Sequence, residues 1–165
     1  MEVSMKTVKS LLILDNDGKR ILAKYYDNSY ESLNEQKIFE KKLFQATKKS
    51  DSEIVLIDGK TVVYKSHVDL FFYIVGDVTE NELLLNQILT SLYRSIDALL
   101  RHNVEKRFLL NSMEKIYLIV DLMLDSDGIL MEIDPISIIK QVPTRREEEL
   151  DVYQALQKAR NRLGL

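Results

Sequence analysis

The chain of 165 residues contains no cysteine, which excludes disulfide bridges, thiolate metal ligands and cysteine nucleophiles. It also lacks any Asn-x-Ser/Thr glycosylation sequence, and both absences are typical of a protein from a reducing compartment. The five glycines stand apart in the sequence. A phosphate-binding loop needs clustered glycines, so the sequence excludes a P-loop and a dinucleotide-binding fingerprint.

Long hydrophobic runs are also missing. Apolar runs such as Leu11–Leu14 and Leu83–Leu85 fall far short of the roughly 20 residues that cross a bilayer. The first residues, Met1–Ser10, carry Glu2 and two lysines, and this pattern differs from a secretory signal. We therefore expect a cytoplasmic protein that meets a membrane only peripherally, through other proteins.

Neither sign of charge dominates, because 23 basic and 26 acidic residues give a formal net charge of -3. Such a charge offers no general attraction for nucleic acid or anionic lipid, so the expected partners are proteins. Hydrophobic residues make up 45% of the chain, which is enough to bury one core. One domain is therefore expected.

Hairpin patterns dominate the first half of the chain. The dipeptide Asp58-Gly59 is the strongest signal, because a type I′ turn needs positive φ at both positions and glycine adopts it at little cost. Asp15-Asn16-Asp17-Gly18 marks a second turn. The predicted strands are Val8–Leu14, Ile21–Tyr26, Ile54–Ile57, Thr61–Lys65 and Leu70–Val75. The last of these is almost wholly apolar, which predicts a central strand covered on both faces.

Helix starts are marked by capping patterns. Ser32 with Glu35 predicts a helix over 33–48, and Thr79 with Glu82 precedes a second helix with a wide apolar stripe. Further signals predict three more helices. They are a third helix capped by Asn103 and ended by Asp127-Gly128, a short one from Asp134-Pro135 to about Val142, and a marginal one within 145–165.

This order of elements predicts an α/β chain of the α+β type, in which a five-stranded antiparallel sheet is flanked by α-helices. Residues 1–143 form the predicted domain. Residues 144–165 form a charged C-terminal tail, whose few apolar residues at near-helical spacing predict only a marginally stable helix.

No pattern of residues indicates catalysis. The two histidines, His67 and His102, are far apart in sequence and form no metal-ligand pair. The carboxylate pairs Glu80/Glu82 and Asp121/Asp125 are better explained as helix-start and surface residues than as an acid and a base. We therefore expect no enzyme activity, no cofactor and no metal, and we interpret the chain as a binding module.

Two loops resemble fragments of a calcium-binding loop, Asp15–Gly18 and Asp125–Gly128. In both, the glycine comes two positions too early and the later glutamate ligand is missing. Plain turns are the better interpretation, because aspartate and asparagine side chains accept hydrogen bonds from nearby backbone amides.

Three tyrosines, Tyr25, Tyr26 and Tyr30, lie close together before the first helix. Exposed aromatic side chains often anchor a protein partner, so these three are the predicted partner-binding residues. Aromatic residues near a strand end also pack at the edge of a core, and this alternative stays open.

The first helix carries two lysine pairs, Lys41-Lys42 and Lys48-Lys49. They give it a basic face that could touch anionic lipid, although Glu35 and Glu40 dilute the charge. A solvated face is the simpler interpretation.

Seven stretches between Val8 and Asp121 resemble, in order and spacing, the signature sequences of the coatomer ζ family. None would be convincing alone, but seven in order leave little room for coincidence. They are Ile13-Leu14-Asp15-Asn16-Asp17-Gly18, Ala23-Lys24-Tyr25-Tyr26-Asp27, Glu35-Gln36-Lys37 with Phe39-Glu40-Lys41, Asp51-Ser52-Glu53-Ile54, Thr61-Val62-Val63-Tyr64-Lys65-Ser66, Glu80-Asn81-Glu82-Leu83 and Asn103-Val104-Glu105-Lys106-Arg107.

The resemblance implies a longin-like fold, shared with the small σ subunits of clathrin adaptor complexes. It also implies a structural subunit of the COPI coat that docks directly on the trunk of coatomer γ, beside the rest of the coatomer complex. An Arf-family GTPase, met only indirectly, recruits such a coat to Golgi membranes and COPI-coated vesicles. The implied processes are Golgi-to-ER and intra-Golgi transport.

A σ subunit is the nearest alternative, because σ chains share the Glu-Asn-Glu-Leu start of the second helix. At Tyr64-Lys65-Ser66-His67, however, σ chains resemble Tyr-Arg-Arg-Tyr. Some σ subunits help to bind acidic dileucine cargo signals, and without that basic pair no cargo-site residue is carried over. A longin-type GTPase regulator is a second alternative, and it would need a pocket with convergent polar groups.

Overall fold

A five-stranded antiparallel sheet forms the centre of the computed structural model, which describes residues 8–143 and 145–164. The strands are β1 (Ser10–Asp15), β2 (Arg20–Tyr25), β3 (Ile54–Ile57), β4 (Lys60–His67) and β5 (Leu70–Asp77). They lie in the order β2-β1-β5-β4-β3. All five predicted strands and the predicted α+β class are confirmed, and the apolar strand β5 is central, as its composition indicated.

The Asp58-Gly59 turn connects β3 to β4 as predicted. Both residues have positive φ, 50° and 71°, which is the backbone conformation that a type I′ turn requires. Ile57 pairs with Lys60 directly across the turn. Because side chains alternate along a strand, this register sends Val55 and Ile57 to one face of the sheet.

Six helices complete the part of the chain that the structure describes. They are α1 (Leu33–Thr47), α2 (Glu82–Leu99), α3 (Lys106–Leu110), α4 (Met113–Met123), α5 (Pro135–Lys140) and α6 (Arg145–Arg162). The predicted capping box of α1 is present: Ser32 Oγ accepts from the Glu35 amide at 3.1 Å. Asp134 caps α5 by accepting from the Ile136 amide at 3.1 Å.

The helices cover the sheet from both sides. Helix α1 packs Phe39 and Leu43 against one face, where Tyr73 of β5 is fully buried. Helices α2 and α4 cover the other face, where Phe72 and Ile74 of β5 meet the apolar stripe of α2. Helix α2 approaches closely because Gly76 has no side chain, and a Cβ there would lie 2.8 Å from Leu85.

The third helix differs from the prediction. A single helix capped by Asn103 was expected, but a turn at Asn111 and Ser112 separates α3 from α4. The first amide of α3, on Lys106, donates instead to Asp69 Oδ1 at 2.9 Å. The start of α3 therefore has a tertiary cause, because a carboxylate from the β4–β5 turn fixes where the helix begins.

Two further boundaries also differ. Helix α4 ends at Met123 rather than at Asp127-Gly128, because Leu124 becomes extended and bridges to Leu130. The start of α2 is capped by Asn81, which accepts from the Leu83 amide, while Thr79 bonds to Asp77 instead of forming the predicted capping box.

The C-terminal tail is helical in α6, and its side chains over 154–164 are exposed. The predicted domain boundary at Thr144 lies outside the described residues, as do residues 1–7. No helix in the described ranges is both long and apolar enough to span a membrane.

A buried carboxylate joins α1 to β2. Glu40 is only 4% exposed and accepts 2.9 Å from Arg20 Nε, with a second contact from the same guanidinium. Tyr25 donates its hydroxyl to Glu40 at 2.8 Å. Donating these hydrogen bonds to the Glu40 carboxylate raises the pKa of Arg20, although burial opposes this. The sequence suggested that Glu40 dilutes the basic surface of α1, but its charge is instead paired with Arg20.

Leu92→Asp should prevent folding. Leu92 is fully buried under the sheet, and an unpaired charge there costs several kcal/mol against a total stability of about 5 to 15 kcal/mol. The matched control is Leu83→Asp on the same helix, because Leu83 is 74% exposed. Far-UV circular dichroism of both variants is the measurement, and a folded, soluble Leu92→Asp protein would contradict the buried position of α2.

Glu40→Gln should lower the free energy of unfolding by about 1 to 3 kcal/mol, because it leaves the partly buried Arg20 without its counter-charge. Urea denaturation measures this change. Glu53→Gln is the control: Glu53 is exposed and forms no ion pair within the described residues, so a shift below about 0.5 kcal/mol is expected. Equal effects of the two substitutions would show that the Glu40 network adds nothing.

Candidate protein-binding surface

The three predicted partner-binding tyrosines lie at the end of β2 and in the loop before α1. Each is half-buried, so none is the freely exposed aromatic side chain that the prediction assumed. Tyr25 and Tyr26 are neighbours in extended chain, and they face opposite sides of the sheet. The structure therefore brings Tyr25 and Tyr30 together and separates Tyr26 from them.

Tyr25 and Tyr30 both contact the α1 side of the sheet. Their rings meet edge to face with centroids 6.0 Å apart, and Tyr30 stacks on Phe39 at 4.5 Å. The Tyr30 hydroxyl donates to Asp58 at 3.0 Å, and Lys60 lies 4.8 Å from the ring centre. Burial is the main cause that raises the pKa of both tyrosines. The hydrogen bond from Tyr25 to Glu40 and the one from Tyr30 to Asp58 raise these pKa values further. The pair links β2, α1 and the β3–β4 turn.

Tyr26 packs against the helices on the opposite face. Its Cβ lies next to Gly128, where an added Cβ would come within 3.0 Å of it. Its hydroxyl is buried and has no hydrogen-bond partner among the described residues. Burial, with smaller effects of Asp121 and Asp125, raises its pKa. Edge packing explains this tyrosine's surroundings better than an exposed anchoring role.

Exposed apolar side chains that the sequence did not single out lie at the edge of the sheet. Ile54 and Leu56 alternate with Val55 and Ile57 along β3, so they face away from α1. Leu83, in the first turn of α2, lines the same 440 Å³ cleft as Ile54. We call Ile54, Leu56 and Leu83 the edge patch. Only the strand order shows that β3 lies at an edge, and the sequence does not supply that order.

The backbone of this edge is partly occupied already. Ser52 Oγ donates to the Ile54 carbonyl at 2.8 Å, so one outward acceptor is satisfied within the chain. A four-residue strand with one blocked carbonyl offers little for the addition of another strand. The edge patch is therefore a surface of side chains rather than a site for sheet extension.

The histidine and acidic residues that the sequence analysis considered for catalysis lie apart in the structure and form local contacts. His102 bonds through Nδ1 to Asp97 at 2.7 Å, and His67 lies edge-on to Tyr93 with ring centroids 5.5 Å apart. Asp121 pairs with Lys24 at 2.9 Å. Within the ranges that the structure describes, no group of histidine and acidic residues could hold a metal ion.

The two loops that resemble calcium-site fragments are turns, as predicted. Asp15 Oδ1 accepts from the amides of Asp17 and Lys19, both at 2.9 Å. Asp125 Oδ1 accepts from the amides of residues 127 and 129 in the same way, at 2.8 and 3.0 Å. These carboxylate oxygens therefore organise their own backbone.

Comparison with known proteins shows which family the chain resembles. The family model for the clathrin adaptor complex small chain matches residues 7–149. Coatomer subunit zeta-1 of Homo sapiens is 48% identical over 99% of this chain and 94% of its own length. Coatomer subunit zeta-2 of Homo sapiens is 45% identical over 98% of this chain and 79% of its own length.

More distant proteins extend the comparison. Coatomer subunit zeta-1 of Oryza sativa subsp. japonica is 37% identical over 97% of this chain and 96% of its own length. Among structures, a chain from a homology model of the full-length AP-3 complex in a stretched open conformation gives a TM-score of 0.65. That match covers 93% of this chain and 98% of the other at 16% identity, so it supports the longin-like adaptor fold alone. Since both the family model and the relatives cover most of its length, the chain belongs to the coatomer ζ family of adaptor-complex small chains.

Proposed function

We propose that this chain is a non-catalytic structural subunit of the COPI vesicle coat and that it docks on the trunk of coatomer γ. The observation that carries the proposal is the nearly full-length similarity to coatomer ζ subunits of both animals and plants. In this role the chain joins the rest of coatomer, contacts an Arf-family GTPase only indirectly, and moves from the cytoplasm to Golgi membranes and COPI-coated vesicles. It would support Golgi-to-ER retrograde and intra-Golgi transport.

The proposed mechanism is a structural clamp. The sheet and its helices present a fixed surface, and a longer partner that binds it is held in one shape. Obligate interfaces of this kind commonly exceed about 2,000 Å². The edge patch supplies apolar side chains at such a surface, with Leu56 65% exposed and Leu83 more so. Because a partner that binds only the native state stabilises it, the chain should melt higher in the complex than alone.

The decisive experiment is co-expression of the chain with a coatomer γ trunk fragment and, separately, with a clathrin adaptor large-subunit trunk. Size-exclusion chromatography then reports which mixture forms a stable complex. A complex with γ alone supports the proposal, and a complex with only the adaptor trunk assigns a σ-type role instead. Failure with both, together with a changed nucleotide-exchange or hydrolysis rate of a GTPase, would favour the regulator alternative.

The double substitution Leu56→Asp with Leu83→Asp should abolish co-elution with the γ trunk while the free chain stays folded. Two charges at a buried apolar contact cost several kcal/mol on binding, whereas both side chains are exposed in the free chain. Ile136→Asp on α5 is the control, because Ile136 is also exposed but lies outside the edge patch. Unchanged co-elution of the double variant would remove the edge patch from the proposed interface.

The predicted roles of Tyr25, Tyr26 and Tyr30 stay proposals, and Tyr30→Ala separates the two interpretations. If Tyr30 anchors the partner, affinity for the γ trunk should fall by about tenfold or more, which is about 1.4 kcal/mol, with little change in melting temperature. If it packs at the core edge, the melting temperature falls and the affinity of the folded fraction does not. Tyr117→Ala, at an exposed tyrosine on α4, is the control.

A further inference from the structure

A cleft of about 420 Å³ lies between the β1–β2 turn and the outer side of α1, and it contains no residue of the edge patch. The turn and the first residue of β2 contribute Asp17, Gly18, Lys19 and Arg20, and the helix contributes Lys37, Glu40, Lys41 and Phe44. We call this group the basic cleft. It contains part of the basic face of α1 that the sequence indicated, but it adds Lys19 and Arg20 from a different element.

The basic cleft is positively charged in a chain whose net charge is negative. Four cations and two carboxylates give it a formal charge of +2, while the whole chain carries -3. Glu40 and Arg20 neutralise one another and are bonded together. Lys19, Lys37 and Lys41 form no ion pair within the residues that the structure describes, so three lysines face one carboxylate, Asp17.

The floor of the basic cleft is fixed by packing. Phe44 meets Phe71 of β5 edge to face at 5.5 Å. Gly18 adopts a φ of +79°, and a Cβ there would lie 2.6 Å from the Phe44 ring, so only glycine lets the turn rest on this ring. The Glu40 contacts hold β2 against α1 at the same place. The lysines therefore surround a preformed concave surface rather than a flexible loop.

We propose that the basic cleft binds an acidic segment of a partner protein, whose carboxylates lie among Lys19, Lys37 and Lys41. Charge complementarity selects the sign of the partner, because the cleft retains an excess of lysines after its internal pairs are counted. Lysine ammonium groups on flexible stems adapt to carboxylates at different positions along a peptide. Arg20, the one residue here that could bind a phosphate in bidentate fashion, is committed to Glu40.

The shape of the site favours a peptide over a membrane. A concavity of this volume with a fixed aromatic floor can accept protruding side chains, whereas a bilayer presents a flat surface. The edge patch faces away from α1, so an acidic segment in the basic cleft would not compete with a partner there. The inference is therefore independent of docking through the edge patch, although Tyr25, the other candidate on this side, shares Glu40 with the basic cleft.

Fluorescence anisotropy with a labelled peptide of alternating glutamate and glycine tests the proposal. The double variant Lys37→Glu with Lys41→Glu should weaken binding by about tenfold or more, because two favourable contacts become repulsive. The matched control is Lys48→Glu with Lys49→Glu, two exposed lysines of the same α-helical region outside the cleft. Both variants change the net charge equally, so long-range attraction is the same and only the cleft differs.

Several outcomes would overturn the proposal. Equal weakening by the two variants would show a diffuse electrostatic field instead of a site. Binding to vesicles that contain phosphatidylserine, lost in the cleft variant while wild-type protein ignores the peptide, would assign a membrane contact. Absence of binding to the peptide at low salt would also exclude an acidic partner. Thermal melting confirms that each variant is folded, and co-elution with the γ trunk shows separately whether the docking role holds.

Discussion

The central strand β5 has apolar side chains on both of its faces, and both faces must be covered. Phe72 and Ile74 project toward α2 and α4, whereas Tyr73 and Val75 project toward α1. Leaving either face in water would expose several large side chains, each worth about 1.5 to 3 kcal/mol when buried. A helical layer on each side of the sheet is the direct consequence, and Gly76 allows α2 to approach the strand closely enough to form one of them.

Two buried carboxylates then fix how these layers meet. Glu40 receives Arg20 and Tyr25 and holds α1 to β2. Asp15, at the end of β1, receives Lys106 Nζ of α3 at 2.8 Å. Burial alone would raise the pKa of Asp15, but the hydrogen bonds from Lys106 and from the Lys19 and Asp17 amides outweigh it and lower that pKa. Each carboxylate belongs to one element and receives hydrogen bonds from another, so these charged residues determine geometry that apolar packing leaves free.

Local signals predicted the elements well because their causes are local. The Asp58-Gly59 turn, the Ser32 cap and the apolar run of β5 each depend on a few neighbouring residues, and each was found where the sequence placed it. The start of α3 at Lys106, instead of directly after an Asn103 cap, was missed because Asp69, which accepts from the Lys106 amide, lies on a different element. Long-range pairing likewise decides which strand is at the edge.

The candidate site was predicted less well than the fold, although part of the error was avoidable. Consecutive residues of an extended strand face opposite sides, so Tyr25 and Tyr26 could not belong to one surface. The burial of Glu40 could also have been predicted from the sequence, because Phe39 and Leu43 place it at the margin of the buried side of α1. The pairing of Glu40 with Arg20 could not have been predicted, because only the completed sheet brings Arg20 of β2 close to α1.

The strand order divides the sheet into two hairpin units, β1–β2 and β3–β4–β5, joined only by the pairing of β1 with β5. Within each unit, the paired strands are close in sequence. Between the units, Ser10 pairs with Val75 and Asp15 pairs with Leu70, and the whole of α1 and the β3–β4 hairpin lies between them in the sequence. Such long-range closure is slow, because the entropy of the intervening loop is lost before the new contacts form. On the ribosome, β1 leaves the exit tunnel well before its partner exists. The edge of β1 that becomes the middle of the sheet therefore stays unpaired during synthesis until β5 has been made.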